Sequence, residues 1–240
     1  SEERSWPSIY AQNAKITIEK SIFENIESNA VFADIGCDLK VENVKFVKGG
    51  GNSSQIHVEG CKADIANSTF ENINGMCIAA VGSKSDVSIK GCQFTGSGNG
   101  GLPSVWANER ARVSATDCTF SNANGSSILV ENMAKLEIKG KSVFSVKEKI
   151  RDPLIVIRNG KVTIGDPDSK DDTLFDNIGK CGIRIENNGK LNANGCRFQS
   201  NTGKAVFVDC KKGNLEMRKC DFSDNKRCII VTEGKILHLE

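Results

Sequence analysis

Apolar and polar residues alternate over short stretches of this chain, and the stretches recur. Ile16 and Ile18 enclose Thr17, Leu39 and Val41 enclose Lys40, Ala63 and Ile65 enclose Asp64, and Val87 and Ile89 enclose Ser88. Val113 and Ala115 do the same around Ser114, Leu191 and Ala193 around Asn192, and Leu215 and Met217 around Glu216. A period of two predicts a strand with one buried face, and helical spacing does not fit. A phenylalanine follows each pair at a fixed distance. Nine of the 11 Phe lie on one ruler: Phe23, Phe46, Phe70, Phe94, Phe120, Phe144, Phe175, Phe198 and Phe222, at intervals of 23, 24, 24, 26, 24, 31, 23 and 24 residues. A recurring period near 24 marks a repeat array.

Each repeat has the same grammar. Two residues before each Phe stands a small or compact residue: Ser21, Val44, Ser68, Cys92, Cys118, Ser142, Thr173, Cys196 or Cys220. It continues the inward parity of the strand around a bend. Asn25, Asn72, Asn122, Asn177, Asn201 and Asn225 follow the Phe, and asparagine tolerates the left-handed backbone of a tight turn. A third apolar stretch comes next, as in "SSILVEN", "LIVIRN" and "CGIRIEN". Three short strands and three turns make one coil of a solenoid. Coils stacked strand on strand at ~4.8 Å give, for ten coils, a rod of roughly 48 Å. Like side chains then form ladders, and each buried Phe contributes ~1.5–3 kcal/mol. The expectation is an all-β, single-stranded parallel β-helix of about ten coils over residues 14–240, with residues 1–13 as an N-terminal cap or partial coil. Solenoid ends are open edges. Because the sequence stops in mid-coil at "KILHLE", it is expected to be a piece of a longer chain or to be covered by a partner.

This pattern resembles the right-handed parallel β-helix repeat family, the pectate-lyase-like superfamily, over nearly the whole chain. The Asn-bearing bend after Phe resembles that family's stacked Asn turns. The phrases "FENI", "FSNAN", "FDNI", "FQSN" and "FSDN" also resemble the FxxN repeats of chlamydial polymorphic outer-membrane proteins, although their companion "GGA" motif is absent. A second row, Asn108, Asn132, Asn159 and Asn187, recurs at similar offsets. A leucine-rich solenoid is excluded by the missing leucine spacing and helical segments. The resemblance implies two kinds of enzyme precedent, polysaccharide lyases with clustered Asp and a nearby base, and hydrolases with paired Asp on neighbouring coils.

Solenoid insertions map to loops, often on a binding face. The 31-residue interval holds two, "SVKEKIRDP" at 145–153 and "GDPDSKDDT" at 165–173; a third, "TGSGNGGLP" at 95–103, ends near Trp106. Lys147, Lys149 and Arg151 surround Ile150, which makes the 145–173 bulge a candidate docking surface with Ile150 as apolar anchor, and the basic loop can face the acidic one on adjacent coils. Trp106 joins these as a binding candidate. Asp166, Asp168, Asp171 and Asp172 are the metal candidates, but Lys170 falls where an EF-hand ligand belongs and no distal Glu is placed. A solvated acidic turn is the plainer reading, and no metal or cofactor is assigned.

Other chemistry is sparse. On the outward face of the alternating strands, Glu19 and Glu42 form the one stacked acidic pair, the best catalytic candidate if an enzyme is imposed, with one pKa raised by like-charge repulsion. His57 and His238 alternate with apolar neighbours, point outward and lie near no nucleophile motif. There is no CxxC, P-loop or dinucleotide fingerprint. A net charge of +2 offers no basic footprint for nucleic acid, and no apolar run approaches the ~20 residues of a membrane span. The N-terminal residues show no signal peptide. Ten cysteines either form a disulfide framework or pack as small apolar residues. Cys92–Cys118 and Cys196–Cys220 stand close enough in Cα separation for bridges, but in-register parallel side chains orient poorly for one. Packing is preferred, which favours a reducing, cytoplasmic setting over a secreted or cell-surface one. The leading function is a non-catalytic scaffold or interaction domain with a protein partner. An adhesin-type surface module that binds glycan is the second reading, and a polysaccharide-active enzyme, resting on fold analogy, the third.

Overall fold

The computed structural model describes residues 6–98, 101–123, 125–146, 152–166, 172–178, 181–199, 206–222 and 229–239. Their strands form three sheets that run the length of the rod. Sheet A has ten strands, from Ile9–Gln12 to Ile229–Val231; sheet B has ten, from Lys15–Glu19 to Lys235–Leu239; sheet C has eight, from Ile22–Glu24 to Cys196–Gln199. Each strand pairs in parallel with its counterpart one coil away. Two sheets therefore carry the ten rungs expected from the repeat. In the third, a single parallel bridge, Arg197↔Asp221, adds a ninth rung.

The alternating pairs lie in sheet B, in register. Ile16 faces Leu39 and Ile18 faces Val41, and Val87 and Ile89 face Val113 and Ala115 one coil apart. Their apolar members point into a continuous core while the residues between them stay on the surface. Sheet C carries the phenylalanines. Consecutive rings from Phe23 to Phe222 stack with centroids 4.6–5.2 Å apart and planes within 12° of parallel. The spacing is that of the strands beneath them. The 31-residue interval leaves the ladder intact, since Phe144 and Phe175 still stack at 5.0 Å.

The bend between sheets B and C explains the small column before each Phe. Lys20, Asn43, Asn67, Gly91, Asp117, Gly195 and Lys219, each three residues before a Phe, turn the chain with φ between 49° and 61°. This reversal turns a carbonyl toward the next side chain but one. Ser21 and Ser68 donate to it at 2.8 Å, and the thiols of Cys118 and Cys220 at 3.3 and 3.4 Å. Serine and cysteine share the column because each is small enough for the corner and carries a donor.

Past sheet C, Asn25, Asn72, Asn122 and Asn177 take φ of 50–57°, as the asparagine pattern predicts; Asn201 and Asn225 lie outside the described residues. The second asparagine row sits at the corner between sheets A and B. Asn132, Asn159 and Asn187 have φ of 50–52°, and Asn132 Nδ2 donates to Asn108 Oδ1 at 2.8 Å. Asn108 itself keeps strand geometry, and Glu109 turns the chain in its place.

Candidate functional site

The three outer faces differ in chemistry. Sheet B presents charges in local pairs. Glu19 and Glu42, the acidic pair read from the sequence, are bridged by Lys40 Nζ at 3.2 and 2.6 Å, and the two carboxylates, Glu42 first, raise the Lys40 pKa. The pair is therefore part of a three-charge cluster with a cation at its centre. Arg112–Asp86 and Lys139–Glu137 are similar exposed pairs. Such pairs contribute little to stability.

Sheet A is different. Its first outward column reads Tyr10, Phe32, His57, Ala79, Trp106, Leu129, Val156, Arg184, Asp209 and Ile230 in register. The early part is an aromatic ladder: Tyr10 against Phe32 at 5.8 Å and Phe32 against His57 at 4.4 Å. Burial lowers the His57 pKa against the opposing pull of Glu59, 3.6 Å away. Tyr10 Oη donates to Asp34 Oδ2 at 2.8 Å, a bond that raises the tyrosine pKa.

Further along, the same face closes into a cleft of about 190 Å³ lined by Gly101, Pro103, Leu129, Pro153, Val156 and Arg184 among others. Strands of sheet A supply the floor. The corners between sheets C and A, where the chain is longest, supply the wall. Trp106, half-buried beside the floor, donates from Nε1 to Glu131 Oε1 at 2.9 Å. Glu131 Oε2 lies 3.2 Å from Arg158 Nη1, Arg158 Nη2 lies 3.4 Å from Glu186 Oε2, and Arg184 Nε reaches Asp209 Oδ2 at 3.2 Å and Glu186 Oε1 at 3.9 Å. Five charged residues and a tryptophan thus form one chain across five rungs. The carboxylates are the better-covered members: 16% exposed for Glu131, against 45% for Arg158. A wider depression over Gly82, Ser83, Glu109, Arg110, Asn132 and Met133 spans the turn tips and opens to solvent.

Among the residues singled out from sequence, Trp106 stands beside this cleft, next to Leu129 of its floor and joined through Glu131 to the charge chain. Lys147, Lys149, Ile150 and Arg151 lie outside the described residues, but Asp152 and Pro153, which follow them, line the cleft. Asp168 and Asp171 also lie outside. Asp172 Oδ2 accepts from Arg197 Nη2 at 3.5 Å, and Asp166 lies near enough to Lys139 to raise its pKa, behind the larger effect of Glu137. No cluster of three His, Cys, Asp or Glu suited to a metal occurs among the described residues. The two insertions leave opposite ends of sheet C, one after Ser145 and the other before Thr173, so their flanks do not share the surface expected of them. Sequence reading missed Phe32, Glu131, Arg158, Arg184, Glu186 and Asp209. Their signal was membership of two neighbouring columns, one with Phe32, Arg184 and Asp209 and one with Glu131, Arg158 and Glu186, that become visible only in register.

A family model describing the right-handed β-helix region matches residues 8–165 and 158–240. The chain belongs to the right-handed β-helix family. No curated protein matches this β-helix in sequence. Among solved structures, QnrB1, a plasmid-mediated fluoroquinolone resistance protein, is similar at 12% identity over 95% of this chain and 91% of that one, with a TM-score of 0.27. A superposition that loose carries no argument about this β-helix.

Proposed function

We propose that this β-helix is a non-catalytic interaction domain that docks a protein segment along the outer face of sheet A, anchored at the cleft beside Trp106 and bordered by Asp152 and Pro153 of the 145–173 bulge. The observation that carries the reading is the charge chain on the cleft floor. Arg158 stands between Glu131 and Glu186 and bonds to both. A glycosidase needs its two carboxyl groups facing the sugar across an open gap, and here an arginine fills the gap between the carboxylates. The same arrangement suits recognition. It fixes alternating charges beside a tryptophan held at its N–H, and aromatic and arginine anchors dominate protein interfaces.

The test presents a displayed random-peptide library and an oligosaccharide array to the domain, its Trp106→Ala variant and, as control, a Glu19→Gln variant on sheet B. The reading expects selected peptides whose affinity falls by on the order of tenfold or more in Trp106→Ala and is unchanged in Glu19→Gln. Enrichment of oligosaccharides with no peptide selected, or cleavage of a polysaccharide, would overturn it.

A further inference from the structure

Six of the nine described cysteines stand in rung-to-rung pairs. Cys37 lies beside Cys61, next to the paired Asp38 and Lys62; Cys92 lies beside Cys118, next to Gln93 and Thr119; Cys196 lies beside Cys220, next to the bridge Arg197↔Asp221. Parallel rungs put each pair at a Cα separation near 4.8 Å, inside the range a disulfide spans. Local geometry separates the three. Cys37 and Cys61 are closed to solvent, and the Cys61 thiol donates to Asp34 O at 2.9 Å. Cys92 and Cys118 are fully buried, with their thiols on the carbonyls of Ile65 and Ile89. Cys220 alone among the described cysteines is partly exposed. Its inner neighbour Cys196 is 1% exposed, and the two thiols lie within hydrogen-bonding reach of each other.

We propose that Cys196 and Cys220 form a redox modification site, oxidised by a hydroperoxide to a disulfide that staples the ninth rung of sheet C to the eighth. The thiolate of Cys220 attacks one oxygen of the O–O bond. That bond breaks, Cys220 becomes a sulfenic acid, and the other oxygen leaves as water or an alcohol. The sulfur of Cys196 then displaces the sulfenic hydroxyl, which departs as water with the Cys196 proton. Two thiols lose two electrons and two protons, and the peroxide is reduced by the same two electrons.

Three features favour this pair. A hydrogen bond from the Cys196 thiol stabilises the Cys220 thiolate, and its pKa is lowered while that of Cys196 is raised. Thiolate character and access together decide which cysteine is oxidised. Parallel side chains in register orient poorly for a bridge, and here closure turns the two cysteine side chains while Asp221 keeps its backbone bonds to Cys196 and Phe198. Residual strain makes the product easy to reduce again.

The experiment treats the folded chain with hydrogen peroxide, blocks remaining thiols by alkylation and maps peptides without reduction. The expected product is a Cys196–Cys220 linked peptide, formed on the order of tenfold or more faster than Cys92 and Cys118 are consumed. Its formation raises the unfolding midpoint, and a thiol reductant reverses the gain. Cys196→Ser and Cys220→Ser each abolish the linkage and the gain, whereas Cys92→Ser leaves both unchanged. Serine suits the column, because Ser68 and Ser142 fill it elsewhere with their hydroxyls hydrogen-bonded. Recovery of Cys220 as a sulfinic acid with Cys196 still alkylated, a link from Cys220 to Cys228, or no thiol loss at Cys220 would each overturn the proposal.

Discussion

A single residue of the phenylalanine ladder is held by its neighbours on both sides, and its value depends on having both. Phe120 is 1% exposed and stacks on Phe94 at 4.6 Å and on Phe144 at 4.8 Å. Phe23 is half-buried and has one stacking partner, Phe46. Truncating a buried Phe to Ala costs about 3–5 kcal/mol, because a cavity remains where the ring was. Phe120→Ala is expected to show that loss in urea unfolding and Phe23→Ala clearly less; equal losses would mean that stacking between coils is not what the ring supplies. His57 gives a second prediction at this scale. Burial against Phe32 favours the neutral imidazole, so the folded chain binds that proton less tightly than the unfolded chain. The stabilisation is complete above the unfolded value of about 6.5 and is lost as pH falls through the lower folded value. His57→Phe keeps a ring on Phe32 and removes the proton. Unfolding free energies measured from about pH 7 down to about pH 5 should fall less in the variant than in the parent; parallel curves would assign the acid loss to other groups.

At the scale of the element, the corners decide what can be read and what can vary. The apolar residue of sheet B that faces its neighbours stands seven residues before its Phe in seven coils, as in Val87 to Phe94 and Leu191 to Phe198. A short turn through one left-handed residue fixes that distance. It is why two of the three sheets, the phenylalanine ladder and the coil count are legible in the order of residues alone. The corner between sheets C and A has no such restraint. Phe70 is followed by the inward Ile78 at eight residues, and Phe94 by Val105 at eleven. Residues that share a column in sheet A therefore fall at irregular positions in the chain. Trp106 stands out as a rare residue near an insertion, but Glu131, Arg158, Glu186 and Arg184 read in sequence as unrelated surface charges. The same argument predicts tolerance to deletion. Gly165 N donates to Ile138 O at 2.8 Å and Leu174 N to Ser142 O at 2.9 Å, so both flanks of the acidic insertion are already held by the preceding coil. Removing residues 167–171 relieves loop entropy that grows only slowly with length, on the order of 1 kcal/mol or less. The variant is expected to melt within a few degrees of the parent, about the shift that such an energy produces. A collapse of the melting transition would show that the insertion supports the Phe144–Phe175 step.

Across the whole molecule, the rod is a column of coils in which each contacts the next, and whatever acts on many coils acts on all of its stability. The buried thiols are such a set. Burial raises the pKa of Cys61, Cys118 and Cys181 to about 11 and that of Cys77 and Cys92 to about 12. They span coils from the third to the eighth of sheet A's ten rungs and so sample most of the rod. In each, the folded state holds its proton more tightly than the unfolded chain, whose thiols titrate near 8.5. Their combined contribution is complete below that value and is lost as pH rises toward 11 and 12. Urea midpoints should therefore hold steady to about pH 8 and then fall steeply, with the slope set by the number of thiols that lose protons on unfolding. Cys92→Ser with Cys118→Ser removes two of those protons while keeping small donors in the corner. The double variant is expected to have a shallower alkaline fall than the parent and an acid limb that matches it. If the alkaline slopes coincide, the high-pH loss belongs to lysine and tyrosine deprotonation, and the thiol column matters to this fold for its size and hydrogen bonds alone.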